Sequence, residues 1–379
     1  MADEPLEKPK PKQGEPKALN GYQDFHDLIS KHTGSSPKVA IFSHKCPDPD
    51  AIGSMMGMKW LLEKRYGIES DLFYDGEVSH PQNGILVNLL DPGLQRVSED
   101  YVSENYELRI LVDTIPSYAG TGDKQVIFDV VIDHHKDMPT SDFKGVLIHK
   151  KVGSCAGIIY DMINHLCKCD AEELTLDDVW FDDEVDADMK VATGLIAGVM
   201  TDTNFMMADD CTEYERHAFN DLFEYRNSQF LHQIVFFKRR KFWIDKKAAA
   251  CSEAEVDGEG YAIVGLGLIP TAERDLIADM ADEMGSWATV ETAIAFGVIG
   301  GDRIEASVRS SNASLSVSNF CKKLGGKYGS GGGKHGKGAY QLPLAGFSID
   351  DDEDEADAEE AWAAIKKKET KRIQRIIKK

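Results

Sequence analysis

The 379-residue chain contains no run of about eighteen apolar residues, so a hydrophobic membrane-spanning helix is excluded. Its start, Met-Ala-Asp-Glu-Pro followed by alternating Lys, Pro, Glu and Gln, has no apolar signal core, and no secretory leader is expected. Cysteine is sparse and unpatterned: seven are scattered along the chain, and Cys167-Lys168-Cys169 lacks the two-residue gap and partner pair of a zinc knuckle. These thiols fit a reducing, cytoplasmic setting. Basic charge is in deficit, with 43 Lys and Arg against 65 Asp and Glu and a net charge of −22. That balance argues against a protein that coats nucleic acid non-specifically. It leaves open small phosphorylated substrates, which a few local cations and metal ions can hold. No internal repeat is apparent.

What is present reads as two ordinary domains. Residues 1–18 are Pro- and Lys-rich with little apolar content and are expected to be a disordered extension. A helix is predicted over Tyr22–Ser30. From Lys38 short apolar strands alternate with helices: Lys38–Ser43, Arg109–Asp113 and Asp129–Asp133 are strands, and Ala51–Lys64 is a helix. This alternation predicts an α/β fold with a doubly wound, mainly parallel sheet over 19–245. A junction is expected at 246–258, where Lys-Lys-Ala-Ala-Ala-Cys runs on to Asp-Gly-Glu. A smaller α/β domain follows over 259–347. The charged tail, 348–379, is acidic and then basic, an order that suits a helix dipole, and is expected to form a terminal helix.

Ligands bind such sheets beyond the carboxyl ends of the strands, and the chemistry-bearing residues fall there. His44, Asp48 and Asp50 lie within seven residues just before a helix. Asp113 ends one strand, the triplet Asp133-His134-His135 ends another, and Asp202 follows the apolar stretch Val191–Met200. Any one of these aspartates alone reads as a helix cap or turn residue, and an isolated His134 as a satisfied interior histidine. Several carboxylates crowded together would repel and be driven to protonate. Divalent cations remove that conflict. Mixed imidazole and carboxylate donors suit Mn²⁺, and less specifically Fe, Co, Zn or Mg. A shared carboxylate can hold two such ions about 3.5–4 Å apart, an arrangement that activates water against phosphorus.

These motifs resemble the DHH phosphoesterase superfamily, named for the triplet seen at 133–135. The resemblance runs from about Lys38 to Leu344 and includes a DHH-associated second domain with a glycine-rich run and a histidine. Within the superfamily the chain is most similar to the small-substrate branch of nano-RNA oligoribonucleases and 3′-phosphoadenosine 5′-phosphate phosphatases. The resemblance implies that His44, Asp48 and Asp113 hold one metal. Asp50, Asp113, His134 and Asp202 hold the other, with Asp113 bridging. It implies that His135 faces the substrate phosphate and Asp133 orients a histidine, so that Asp113, Asp133 and His135 are the catalytic residues. In the second domain it implies substrate binding through Arg309, in Ser307-Val308-Arg309-Ser310-Ser311, and through the loop carrying Gly332, Gly333, Lys334 and His335. The implied cofactors are two divalent ions, Mn²⁺ foremost. The implied partners are short RNA or DNA oligonucleotides or phosphorylated nucleotides, with no membrane and with a homodimer left open.

The chain departs from the family pattern at several points. Lys334 stands where a glycine usually precedes the loop histidine. Gly338-Ala339-Tyr340 replaces two alanines and a glycine. Pro49 sits between two ligands where a small residue is usual, and Cys46 where an asparagine is common. None of these removes a ligand. Three other activities are weighed against the leading one. A pyrophosphatase or polyphosphatase would use clustered Arg-Lys residues rather than Gly331–Gly338. A cyclic-dinucleotide phosphodiesterase would usually carry membrane or sensory domains. A catalytically retired nucleic-acid-binding scaffold should have eroded ligands, whereas all six are present.

Overall fold

A computed structural model of the chain describes residues 21–34, 37–97, 101, 103–135, 143–168, 185–334, 336–344 and 355–378. The extension expected at 1–18 and the loop histidine His335 lie outside these residues. The elements up to the middle of the chain are α1 (Tyr22–Ser30), β1 (Val39–Phe42), α2 (Pro49–Tyr66), β2 (Ser70–Tyr74), α3 (Pro81–Leu90), β3 (Leu94–Arg96), β4 (Leu108–Val112), β5 (Val130–Asp133) and β6 (Val146–His149). Five helices follow: α4 (Cys155–Lys168), α5 (Val185–Asp202), α6 (Glu213–Leu222), α7 (Ser228–Val235) and α8 (Lys241–Glu253). The remainder is β7 (Glu255–Val256), β8 (Tyr261–Ile269), α9 (Leu276–Gly285), β9 (Thr292–Ile299), β10 (Arg303–Ser310), α10 (Val317–Gly325), β11 (Ser330–Lys334), β12 (Lys337–Pro343) and α11 (Glu355–Ile377). None of the described helices is long and apolar enough to cross a membrane.

The chain divides into two compact units. The first comprises Met1–Lys45, Asp50–Asp75 and Pro92–Arg226, and the second Cys46–Pro49, Gly76–Asp91 and Asn227–Lys379. The first is built on a six-stranded sheet of order β3-β2-β1-β4-β5-β6, parallel throughout. Its central strands read as β-branched and aromatic runs because both faces are covered. In β1, Ala40 and Phe42 join an aromatic cluster with Phe73, Tyr101 and Phe128, while Val39 and Ile41 alternate to the other face and are equally buried. Strand order reverses between β1 and β4. Such a switch point opens a crevice at the carboxyl ends of the two strands, and His44 and Asp113 directly follow them.

Two glycines set how closely the helices of this unit approach. A Cβ on Gly53 of α2 would lie 2.4 Å from the Gly194 carbonyl oxygen of α5, and one on Gly198 would lie 2.9 Å from Cα of Asp50. The close crossing carries the last turn of α5, with Asp202, to the start of α2. Gly53→Ala should therefore lower the unfolding temperature. Forcing atoms into a packed contact costs about 1–3 kcal/mol, here toward the upper end because the obstacle is backbone. The helix-propensity gain of alanine returns only about 1 kcal/mol. Thermal unfolding checks this, and a raised midpoint would show that the crossing tolerates a side chain.

The second unit carries a mixed sheet of order β11-β12-β10-β9-β8-β7, in which only the β8–β9 pair is parallel among the described strands. Strand β9 alternates strictly: Ala293, Ala295 and Ile299 face a core shared with α8 and α9, and Ile294, Phe296 and Val298 face one shared with α10 and α11. The charged tail thus enters the fold as α11. Its Trp362, Ile365, Ile373 and Ile376 recur at helical spacing against the sheet, and the Tyr340 hydroxyl donates to its Glu369 at 2.6 Å. The junction expected at 246–258 falls largely inside α8, and the chain already groups with the second unit from Asn227. Lys and Ala are strong helix formers, and Trp243 and Ala250 give α8 an apolar stripe that the polar composition conceals.

Candidate metal centre

The described donors of the first unit come from three strand ends and two helix ends. His44 follows β1, Asp113 follows β4, and Asp133 closes β5 with His134 and His135 beyond it. Asp50 sits in the first turn of α2 and Asp202 is the last residue of α5. Asp113 turns out of the sheet with φ 58°, in the left-handed region that aspartate tolerates better than most residues. Its N–H donates to the Ile132 carbonyl at 2.9 Å, holding the turn against β5.

The two oxygens of Asp113 face different histidines. Oδ2 is 3.5 Å from His44 Nε2, and Oδ1 is 3.3 Å from His134 Nε2. His134 Nε2 is also 3.3 Å from Asp202 Oδ2 and 3.9 Å from Asp50 Oδ2. Among the donors of the first unit, two sets of atoms, Asp113-His134-His135 and Asp50-His134-Asp202, each gather within 4.8 Å.

The rings are pinned from behind. His134 Nδ1 donates to the Val152 carbonyl at 3.1 Å, and His44 Nδ1 to the Lys45 carbonyl at 3.0 Å. A carbonyl can only accept, so Nδ1 carries a hydrogen in each ring and Nε2 is the atom turned inward. His135 Nδ1 meets Asp133 Oδ1 at 2.7 Å, and His149 Nε2 donates to the His135 carbonyl at 2.7 Å. Asp50 is held as firmly: its Oδ2 and Oδ1 accept the Cys155 and Ala156 N–H groups at 2.7 and 2.8 Å, at the N-terminus of α4.

Asp113 Oδ1, His134 Nε2 and Asp133 Oδ2 are among the buried side-chain atoms left without a well-formed hydrogen bond among the described residues. Orphans of this kind at the focus of a donor cluster call for an ion. Burial alone would push the Asp113 carboxyl up, yet His134 and His44 hold it well below the usual carboxylate range. Burial alone would lower His134, but Asp113, Asp50 and Asp202 raise it to about 10. Mixed oxygen and nitrogen donors, fixed in tautomer and direction, fit a divalent cation of the Mn²⁺ class.

The other predicted site residues belong to the second unit. Asp48 lies on Cys46–Pro49, a stretch that belongs to the second unit. Arg309 lies on β10 and forks onto Asp282 of the same unit, with Nε–Oδ1 at 2.5 Å and an outer nitrogen 3.0 Å from Oδ2. Gly332, Gly333 and Lys334 were expected in a loop, but they form β11, paired with β12. Packing explains this. A Cβ on Gly331 would strike the Cys321 carbonyl of α10 at 2.2 Å, and one on Gly333 the Lys337 carbonyl at 2.4 Å, whereas Gly332 faces open space. The turn after β11 is nevertheless tied to Arg309's strand, because Ser310 N–H donates to the Gly336 carbonyl at 2.7 Å. The backbone clamp at 152–156 and the buried Glu215 beside it were missed. Only Thr212-x-x-Glu215, a capping-box pattern, marked them.

A comparison with known families identifies the part of the chain that carries this cluster. Residues 38–199 match the DHH family, N-terminal domain. Over this stretch the chain is similar to the DHH family. Every described donor except Asp202 lies inside the matched stretch, and Asp202 stands three residues beyond it. The chain is 27% identical over 317 residues to the uncharacterized protein MJ1633 of Methanocaldococcus jannaschii, covering 83% of this chain and 60% of that one. Over 127 residues it is 27% identical to the "Probable manganese-dependent inorganic pyrophosphatase" of Streptococcus agalactiae, covering 33% of this chain and 40% of the relative. It thus spans less than two thirds of either relative. The exopolyphosphatase-related protein of Bacteroides fragilis shares the fold, with a TM-score of 0.63 at 14% identity over 94% of this chain and 98% of that one.

Proposed function

We propose that this protein is a two-metal phosphoesterase, using Mn²⁺, that hydrolyses short oligonucleotides or phosphorylated nucleotides, as in the oligoribonuclease and 3′-phosphoadenosine 5′-phosphate phosphatase branch. The observation that carries it is the Asp113 carboxylate, whose two oxygens face two different histidines, as a carboxylate shared by two ions must. His44, Asp48 and Asp113 would hold one ion, and Asp50, Asp113, His134 and Asp202 the other. When bound, such ions supply Lewis acidity toward phosphoryl oxygens and a nucleophile from water near neutral pH. His135 is the half-exposed member of the triplet, held through Nδ1 by Asp133, and its Nε2 is left to meet a substrate phosphate. The manganese assignment is supported by the donor chemistry and by the name of the pyrophosphatase relatives.

Arg309 is the proposed phosphate anchor, with Gly332, Gly333 and Lys334 of the adjoining β11 contributing, and His335 proposed with them. Asp282 now occupies the guanidinium fork, so a phosphate must compete with that carboxylate. Arg309→Ala should raise KM roughly ten- to a hundredfold for short substrates, the worth of a charge-assisted hydrogen bond, and leave metal content unchanged. The likeness to pyrophosphatases favours pyrophosphate or polyphosphate hydrolysis as the second reading. Both are tested on Mn²⁺-loaded protein with RNAs of graded length from the dimer upward, 3′-phosphoadenosine 5′-phosphate, cyclic dinucleotides and pyrophosphate. Preference for the shortest RNAs supports the proposal. Equal cleavage of long and short RNA, or turnover of pyrophosphate alone, sinks it.

A further inference from the structure

We infer that Glu215 positions the metal centre by locking the backbone stretch that grips two of its donors. The inference rests on the metal-centre reading above. Glu215 lies in the first turn of α6 and is fully buried. One side of its carboxylate does ordinary capping: Oε2 accepts the Thr212 N–H at 2.7 Å and the Thr212 hydroxyl at 2.8 Å. The other side is not needed to cap a helix. Oε1 accepts the N–H groups of Gly153 and Ser154, both at 3.0 Å, from a segment some sixty residues earlier in the chain.

That segment is the clamp of the site. The Val152 carbonyl accepts from His134 Nδ1, and the Cys155 and Ala156 N–H groups hold the two oxygens of Asp50. Of five consecutive residues, three grip metal donors, and the two between them are held by Glu215. The fit is close all around. A Cβ on Gly157 would approach Oε1 to 2.9 Å, and one on Gly153 would strike Thr203, the neighbour of Asp202, at 2.8 Å. Without the Oε1 contacts two buried N–H groups lose their acceptor, and the backbone must turn to find others. That rotation displaces the Val152 carbonyl and the N–H pair on Asp50. Glu215 itself belongs to none of the donor clusters, so its effect passes through Asp50 and His134.

The test is Mn²⁺ binding to the full-length protein by calorimetry and by the Mn²⁺-induced rise in unfolding temperature. In Glu215→Gln the amide has one oxygen and cannot serve both sides. The Mn²⁺ dissociation constant should rise about 10–100-fold, the usual cost of losing a group that orients ligands. Excess Mn²⁺ should restore kcat, while KM for substrate stays at its wild-type value. Thr212→Val is the control: it removes the capping hydroxyl but leaves the Oε1 contacts, and should lower stability with Mn²⁺ affinity near wild type. If Glu215→Gln does not fold, Glu215→Asp, which keeps the charge and shortens the reach, should show the same weakened binding. A folded Gln or Asp variant with wild-type affinity overturns the inference, as does Thr212→Val weakening Mn²⁺ binding equally. Wild-type protein that binds no Mn²⁺ would instead overturn the metal-centre reading on which this role depends.

Discussion

Asp113→Asn should reduce turnover by at least about a thousandfold, more than the 10–100-fold that follows loss of a group merely orienting a ligand, and leave the fold intact. Asparagine is the informative replacement because residue 113 has φ 58°. Asparagine shares aspartate's tolerance of the left-handed region, whereas alanine would add backbone strain and confuse stability with chemistry. The amide keeps the size and shape of the side chain but has a single oxygen and no charge. Whichever way it turns, either His44 or His134 faces an NH₂ group where a carboxylate oxygen stood 3.5 or 3.3 Å away. A shared ligand is lost, and one or both ions with it. Turnover, metal content and unfolding temperature on the same preparation check this. A variant that retains near-normal turnover with two bound Mn²⁺ would end the assignment of Asp113 as the bridge.

The strands of the first unit could be read from the sequence because each is a short Val- and Ile-rich run ending on a polar residue, and a doubly wound sheet places such ends together. Asp113 and Asp133-His134-His135 are therefore legible as candidates in the sequence itself. The hold on those residues was not. Asp50 depends on N–H groups more than a hundred residues away, at the start of a helix whose sequence gives no sign of it. His134 depends on a carbonyl, which any residue at 152 would supply. The second unit was misread where composition and packing pull apart. A polar Lys-Ala stretch became α8 because two apolar residues sufficed to seat it, and a glycine run became β11 because α10 and β12 press on it from both sides. Charge pairing hid from the sequence altogether: nothing in Ser307–Ser311 indicated that Asp282 would fill the Arg309 fork.

Mn²⁺ affinity should strengthen about tenfold per pH unit through neutrality, close to a hundredfold between pH 6.5 and 8.5, because the metal must displace one proton. The proton sits on His134. In the metal-free cluster the carboxylates of Asp113, Asp50 and Asp202 lift this imidazole from its ordinary 6.5 to about 10, despite the opposing effect of burial. Its Nδ1 hydrogen is committed to Val152, so the proton lost on metal binding is the one on Nε2, the atom that turns toward the ion. The sign for stability follows from the same shift. A group whose pKa is raised on folding stabilises the fold fully below its unfolded value, and the contribution drains away as pH climbs through the folded value. Metal-free protein should therefore lose stability from about pH 6.5 toward pH 10, while Mn²⁺-loaded protein gains relative to it over the same range. Calorimetric titration in two buffers of different ionisation heat measures the proton count directly, with about one released at this residue expected. An affinity that is flat with pH, with no proton released, would mean that His134 is already neutral and that the carboxylates around it do not act together as the geometry implies.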